Sequence, residues 1–300
     1  MLRLGASLPT SAPAGSSLPN LLLDNYDGGV RAYSMRKLKK GYSGYILRLR
    51  RSGDDEEVDV AFDDDNEFSA DSKLYNASGS TADGTLLSAW IGVAVLYMTK
   101  WYDQSSAGLD ITQPTALSQP TMGAFGSFNT SNGKITPYFN GTTNLILDST
   151  SMNIGSLSAY TVSENTNHAY ATYQWPWGLS TAGGNLFGHL LNGGNNMFYY
   201  AAQFNISYAG SAEDTQQIKT FHAGTSAAPA MYQNGSAGTG TGTRVDSAAS
   251  TSNNNIGAWD NGATLYGWQG HFQELIAFDT DTISDRAAIT TNINDYYGSY

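Results

Sequence analysis

Short stretches in which apolar and polar residues alternate recur along most of the chain, and they restrict its fold more than any other feature. Residues 47–50 alternate Leu with Arg, and residues 58–62 repeat the period of two. This period is typical of strands with one buried face. Asn-Gly, a dipeptide favoured in hairpin turns, occurs at Asn132, Asn140, Asn234 and Asn261. The pattern predicts an all-β sandwich or jelly roll of many short strands.

Further strands are predicted wherever β-branched and aromatic residues cluster between turn signals. They fall at residues 100–102, 136–139, 144–147, 169–173, 196–202, 217–222, 230–233, 255–259 and 270–278.

Three segments are predicted to be helical instead. Residues 31–40 carry apolar side chains at helical spacing and end at Gly41, and residues 86–98 form a second candidate. Residues 283–297 close the chain as a third helix, with Ser284 as its expected N-cap.

The chain is predicted to form one domain after a short N-terminal arm. Its 300 residues, 40% of them hydrophobic, suffice for a continuous core. Pro9, Pro13 and Pro19 oppose regular pairing, so residues 1–20 are expected to be a flexible arm and residues 21–300 the domain. No signal-peptide pattern and no apolar run long enough for a membrane span occurs, so no membrane partner is expected.

The net charge of −11 argues against a nucleic-acid partner, although the basic residues are unevenly placed. Eight of the fifteen Lys and Arg residues lie between Arg31 and Arg51. This strip could bind phosphate or an acidic partner. The favoured interpretation is that its charges are solvated or paired with the acidic residues at 54–57.

No metal or other cofactor is predicted. The chain has no Cys and four scattered His, which gives no zinc pattern. The acidic run 63–67 resembles the first half of a calcium loop, but it lacks the following Gly, and Leu74 occupies the place of the bidentate Glu. A solvated turn is therefore expected there. A Ser-His-Asp triad stays open, because such triads assemble in space and not in sequence.

The sequence offers one candidate carbohydrate-binding group. Asp260 follows an apolar strand, and Trp259, Tyr266 and Trp268 surround it in the sequence. Aromatic rings can stack on the C–H faces of sugars, and a carboxylate accepts hydrogen bonds from sugar hydroxyl groups. The alternative is that Asp260-Asn261-Gly262 is simply a turn.

Three stretches resemble the catalytic domain of the fungal α-L-arabinofuranosidase B family: RAYSMRKLKKGYSGYILRLRRSGDDEEVDV, KWYDQSSAGLDITQPT and the C-terminal NIGAWDNG to NDYY. The resemblance implies a concanavalin A-like (laminin-G-like) jelly-roll β-sandwich with a few short helices. It also implies a general acid at Asp260 and a Glu nucleophile on a mid-domain strand. The stretch that matches this strand, residues 199–208, contains no carboxylate, and Glu213 and Asp214 follow it in a predicted loop. No catalytic residues are therefore predicted.

The cysteine-free form of this domain, with WYDQS and the C-terminal pattern, resembles domains of phage structural proteins and laminin-G-like modules of bacterial surface proteins. This implies a non-enzymatic bacteriophage virion protein, for capsid decoration or tail-associated, that displays a lectin-like jelly roll. Expected partners are other virion proteins, reached through the N-terminal arm, and host surface glycans; homo-oligomerisation is left open. The alternatives are a carbohydrate-binding, lectin-like adhesin and an α-L-arabinofuranosidase-type glycoside hydrolase.

Overall fold

The computed structural model describes residues 21–146, 156–169, 173–180, 186–192, 195–200, 203–208, 212–223, 229–239, 255–260 and 265–300. The predicted arm, residues 1–20, and the predicted Asn261-Gly262 turn lie outside these ranges, so both stay predictions.

Short strands are the main secondary structure of the described chain. They are β1 Gly29–Ser34, β2 Leu47–Arg51, β3 Glu57–Val60, β4 Leu74–Tyr75, β5 Val95–Trp101, β6 Ile111–Thr112, β7 Thr121–Ala124, β8 Ser127–Phe128, β9 Thr130–Ser131, β10 Lys134–Ile135, β11 Tyr138–Asn140, β12 Leu145–Ile146, β13 Ser158–Asn165, β14 Tyr173–Ser180, β15 Leu186–Asn192, β16 Asn195–Tyr200, β17 Gln203–Tyr208, β18 Gln217–His222, β19 Ala230–Gln233, β20 Ser236–Ala237, β21 Asn255–Ile256, β22 Ala258–Asp260, β23 Leu265–Gly267 and β24 Gln269–Phe278.

Helices are few and short in the described ranges. They are α1 Leu22–Asn25, α2 Leu87–Ile91, α3 Arg286–Tyr297 and the 3-10 helix Ala116–Ser118. None of them is long and apolar enough to cross a membrane.

Antiparallel pairing arranges most strands in two runs. The first run has the order β1-β24-β13-β18-β19. The second has the order β4-β3-β2-β5-β6-β12-β21-β14-β15-β16-β17. Strands β11 and β7 connect the runs through β24 and β5. This is the sandwich that the alternating pattern predicts.

Two hydrophobic clusters hold the layers together. The larger lies between the runs, where Leu49 and Trp101 of the second run belong to the same cluster as Phe221 and Leu275 of the first. The smaller lies on the other face of the first run, which α1 and α3 cover. The first run is therefore buried on both faces, and all six residues of β18 are buried.

Several local predictions are confirmed. Strands β18 and β19 have the predicted bounds. Asn132 and Gly133 connect β9 to β10 with φ of 46° and 75°, and Asn234 and Gly235 connect β19 to β20 with φ of 48° and 77°. Positive φ at both positions is the signature of a type I′ turn, which Asn-Gly favours.

The helix predicted at residues 31–40 is wrong, because the chain forms strand β1 there and then a loop. Tyr33 faces the larger cluster while Ala32 faces the smaller one, so burial on both faces hides the period of two. The second predicted helix is shorter, since α2 ends at Gly92 with φ of 52° and β5 takes the rest of the segment.

The third predicted helix is confirmed with a different start. Helix α3 begins at Arg286, and its N-cap is Asp285, not Ser284. The helix packs Ile289 and Ile293 against the smaller cluster, so tertiary contacts and not a side-chain cap fix its position.

Paired charges account for part of the basic strip, as the favoured interpretation expects. Arg50 contacts Asp55 at 2.5 Å, and Arg51 contacts Asp54 at 2.5 Å and Glu56 at 2.7 Å. These guanidinium groups therefore already have carboxylate partners from the following turn.

Candidate functional site

Three of the four predicted carbohydrate-binding residues lie on the hairpin formed by β22 and β23. The backbones of Trp259 and Asp260 are in β22, and the positions of their side chains lie outside the described part of the structure. Tyr266, opposite Trp259 in the hairpin, is half-buried, and its ring lies 6.4 Å from that of Tyr173. Tyr266 and Tyr173 thus bring two aromatic rings together at the edge of the fold.

The prediction that Trp268 contacts sugar is wrong. Its side chain is 1% exposed and belongs to the larger cluster, with ring centroids 5.7 Å from Phe139 and 5.9 Å from Phe272. The sequence could not reveal this, because an aromatic residue before a strand can face either the core or solvent. A ring enclosed on both faces cannot stack on a ligand.

A polar cavity of about 340 Å³ opens near the start of β24, and we call it the rim cavity. Its walls come from the β9–β10 hairpin, the end of β13, the turn before β18 and the chain after α3. The lining is formed by residues 130–132, Glu164, residues 214–216 and residues 298–299.

The two acidic side chains of the rim cavity are Glu164 and Asp214. The pairing of β13 with β24 shifts by one residue after Val162. After this shift, Glu164 lies opposite His271. Ser131 donates a hydrogen bond to the Glu164 carboxylate. Asp214 has φ of 53°, and its N–H donates to the carbonyl of Asn165 at 2.9 Å. Strand pairing and a fixed turn therefore hold both carboxylates on the same rim.

Amide side chains brace the floor of the cavity. Gln216 is 4% exposed; it donates to Gln273 and accepts a hydrogen bond of 2.6 Å from Ser299. Gln273 in turn donates to the carbonyl of Ser131 at 3.3 Å. This network connects four separate segments of the chain, so the shape of the cavity is preorganised.

His271 and Tyr138 extend the site beside Glu164. Their ring centroids are 5.1 Å apart, and the Tyr138 hydroxyl accepts a hydrogen bond of 2.9 Å from Gln269. Burial lowers the pKa of His271, although the Glu164 carboxylate partly opposes this. The imidazole is therefore neutral at neutral pH and can accept as well as donate a hydrogen bond.

Glu213, the other acid of the predicted loop, lies beside the rim cavity in the same turn as Asp214. Its Oε1 accepts a hydrogen bond of 2.8 Å from the N–H of His168. The sequence predicts a loop for both Glu213 and Asp214, but no local pattern places that loop beside Glu164. Only the pairing of β13 with β18 and β24 brings these positions together.

The sequence left open whether a Ser-His-Asp triad assembles, and such a group of side chains occurs at one place in the described structure. Ser158, His222 and Asp281 meet, but Ser158 Oγ at 2.9 Å and Asp281 Oδ1 at 3.6 Å both face the same ring atom, His222 Nδ1. His222 Nε2 is buried with no hydrogen-bond partner among the described residues, and burial lowers the pKa of this histidine to about 4. A relay needs Ser and Asp on opposite ring nitrogens, so this group is not a catalytic triad.

No group of three or more His, Asp or Glu residues in the described ranges could hold a metal ion. The acidic run 63–67 is a turn in which Asp63 Oδ1 accepts hydrogen bonds from the N–H groups of Asp65 at 3.0 Å and Glu67 at 2.9 Å. This carboxylate thus stabilises its own turn, as Asp commonly does.

Solved structures with a similar fold include two arabinofuranosidases. One is a family GH54 α-L-arabinofuranosidase soaked with a cyclic sulfate inhibitor, with 15% identity and a TM-score of 0.57. The other is an arabinofuranosidase complexed with arabinofuranosyl-α-1,2-xylobiose, with 16% identity and a TM-score of 0.59. Each likeness covers 88% of this chain and 62% of the other, so the chain spans less than two thirds of either enzyme.

No protein-family model and no curated protein matches the chain. At these identities, the likeness to the two enzymes concerns the fold and not the activity. Together with the strand topology it establishes a mostly β, concanavalin A-like sandwich with a few short helices, as the sequence predicts.

Proposed function

We propose that this chain is a non-enzymatic virion structural protein whose jelly roll binds glycans at the particle surface. The rim cavity carries the glycan part of the proposal. Its carboxylates, amides and hydroxyl groups match the alternating donors and acceptors of a sugar, and rigid strands hold them. The virion location rests on the sequence resemblance alone.

The non-enzymatic part of the proposal rests on strand β17. This strand matches the segment where the resemblance implies the nucleophile, and its sequence QFNISY contains no Asp or Glu. A retaining glycosidase needs a carboxylate to form its covalent intermediate. Gln203 and Asn205 cannot replace it, because a neutral amide is a poor nucleophile.

Glycan binding is tested by titrating soluble glycans from an array against the wild-type protein and against Glu164→Gln and Asp214→Asn. We expect either substitution to weaken binding about tenfold or more, because each removes a charged acceptor from the cavity. The matched control is Asp71→Asn, since Asp71 is exposed and is not part of the cavity lining. If the wild-type protein binds no glycan of the array, the glycan part of the proposal is rejected.

Hydrolysis is the second candidate function, because Glu164 and Asp214 line one cavity and glycosidases act through paired carboxylates. The wild-type protein and the single variants Glu164→Gln, Asp214→Asn and Asp260→Asn are each incubated at high concentration with 4-nitrophenyl α-L-arabinofuranoside. Turnover that any of the three substitutions abolishes would replace the binding proposal with an enzymatic one. The loss would also identify the acid responsible.

The virion location is tested by quantitative mass spectrometry of purified particles of the phage that encodes the chain. We expect the protein in every preparation. A copy number comparable to that of the major capsid protein indicates decoration of the head, and a few copies indicate the tail. Its absence from purified particles would contradict the virion proposal while leaving glycan binding untouched.

A further inference from the structure

Three tyrosines lie in contact on the outer surface of the second run of strands. These three residues do not line the rim cavity. The ring of Tyr45 lies 5.8 Å from Tyr75 and 5.9 Å from Tyr102, centroid to centroid. All three side chains are half-buried. We call this group the tyrosine face. Its rings are tilted by 35° and 56°, so they line a curved surface and not a flat one.

Cross-strand register explains why these side chains point outwards together. Tyr75 of β4 pairs with Asp59 of β3, which pairs with Arg48 of β2, and Arg48 pairs with Lys100 of β5. Their sequence neighbours, such as Leu74, Val60 and Leu47, point into the larger cluster. Because successive side chains alternate between faces, the paired row must occupy the opposite surface. Tyr102 follows β5 directly.

Asp59 fixes the centre of this surface. Its carboxylate, on a residue only 1% exposed, accepts two hydrogen bonds from Arg48 at 2.7 and 2.8 Å and one from Tyr102 at 2.6 Å. Asn76 donates a further bond at 2.8 Å. Burial acts to raise the pKa of Asp59, but these hydrogen bonds outweigh it and the pKa is lowered. The carboxylate therefore stays ionised and holds Tyr102 in place.

The charged groups of the tyrosine face are already paired, so the polar groups left for a ligand are uncharged hydroxyl groups. Arg48 is paired with Asp59, and Lys100 lies 3.5 Å from Asp110 and 4.9 Å above the Tyr102 ring. No hydrogen bond to the hydroxyl groups of Tyr45 or Tyr75 occurs within the described chain. These hydroxyl groups can each donate and accept a hydrogen bond.

We propose that the tyrosine face binds an uncharged polysaccharide chain, independently of the rim cavity. Rings of this kind cover the C–H faces of sugars, and their free hydroxyl groups bond to sugar hydroxyls. Because the cations already have carboxylate partners, the face gains little from an acidic polymer. A protein partner is the competing occupant, since tyrosine and arginine are also enriched at protein interfaces, and the experiment below distinguishes the two.

Native gel electrophoresis through gels containing a polysaccharide tests the proposal. The probes are the neutral polymers arabinoxylan and β-glucan and the acidic polymers alginate and polygalacturonate. We expect a neutral polymer to retard the wild-type protein more than an acidic one does. Tyr45→Ala and Tyr75→Ala should each weaken this retardation about tenfold, as for truncation of a central binding residue.

Three further variants make the result specific. Leu117→Ala is the surface control, since Leu117 is 92% exposed between β6 and β7, and it should run as the wild type does. Tyr75→Phe keeps the ring and should lose only part of the retardation. Glu164→Gln, run in the same gels, measures the retardation that the rim cavity contributes, so that the two surfaces are distinguished. Circular dichroism of each variant establishes that it is folded.

Two outcomes would overturn the proposal. The first is equal mobility of the wild-type protein in gels with and without every neutral polymer. The second is full retardation of folded Tyr45→Ala and Tyr75→Ala. If, in this second case, the two variants also fail to enter particles, the tyrosine face contacts a neighbouring protein.

Discussion

Lys219→Met is expected to stabilise the folded protein at pH 7 by on the order of 4 kcal/mol. Lys219 is 2% exposed on β18, and its Nζ donates one hydrogen bond of 3.0 Å to Ser163 Oγ. No ion pair to Lys219 is found among the described residues. Burial lowers its pKa from 10.5 to about 7. The folded state therefore releases a proton that the unfolded chain retains, and this release lowers the free energy of unfolding.

The pH dependence follows from the sign of this shift. Between pH 7 and about 10.5 the unfolded chain binds more protons at Lys219 than the folded chain does, so this residue makes stability rise with pH across that window. Below pH 7 both states are protonated and the penalty is constant. Lys219→Met removes the dependence, at a cost of about 1 kcal/mol for the hydroxyl of Ser163 that loses its partner.

Urea denaturation of both proteins at intervals from pH 6 to pH 10 measures this effect. The difference between wild type and variant isolates Lys219 from other groups that titrate there. Lys73→Met is the matched control, because Lys73 is exposed and should show almost no such difference. A difference between wild type and Lys219→Met that does not change with pH would contradict the expectation.

Glu274→Gln is expected to destabilise the protein on the order of 3–5 kcal/mol, because it leaves a buried guanidinium without its counter-charge. Glu274 is 0% exposed, and its carboxylate accepts hydrogen bonds from Arg36 at 3.0 and 3.2 Å and from Ser34 at 2.6 Å. Tyr297 of α3 donates a further bond at 3.2 Å. This group connects β1, β24 and the closing helix.

A double variant separates the loss of the counter-charge from the loss of packing. Arg36→Met combined with Glu274→Met replaces both charges with apolar groups, so we expect it to recover most of the stability lost in Glu274→Gln. The pair of Arg50 with Asp55 provides the control: the Asp55 side chain is exposed, so Asp55→Asn should cost less than about 1 kcal/mol. A loss below 1 kcal/mol for Glu274→Gln, or no recovery in the double variant, would contradict the role assigned to the pair.

The Arg36–Glu274 pair also shows where sequence reasoning ends. From the sequence, the basic strip around Arg36 is interpreted as solvated or paired with the acidic residues at 54–57, yet Arg36 is 8% exposed and paired with a residue 238 positions away. Desolvation acts to lower the pKa of Arg36, but Glu274 outweighs it and the pKa is raised. No local pattern encodes this partner.

The sequence alone determined the features whose cause is local. The period of two placed β2 and β3, because each has one face towards the core, and Asn-Gly fixed the turns at Asn132 and Asn234 through its tolerance of positive φ.

Only the tertiary structure decided the features that depend on distant neighbours. It put Tyr33 into a strand buried on both faces, enclosed Trp268 in the core, and brought Glu164 and Asp214 to one cavity. The reason is that the alternation of apolar and polar residues indicates how many faces of a strand are buried, but not which residues cover those faces. That information lies in the pairing of strands far apart in the chain.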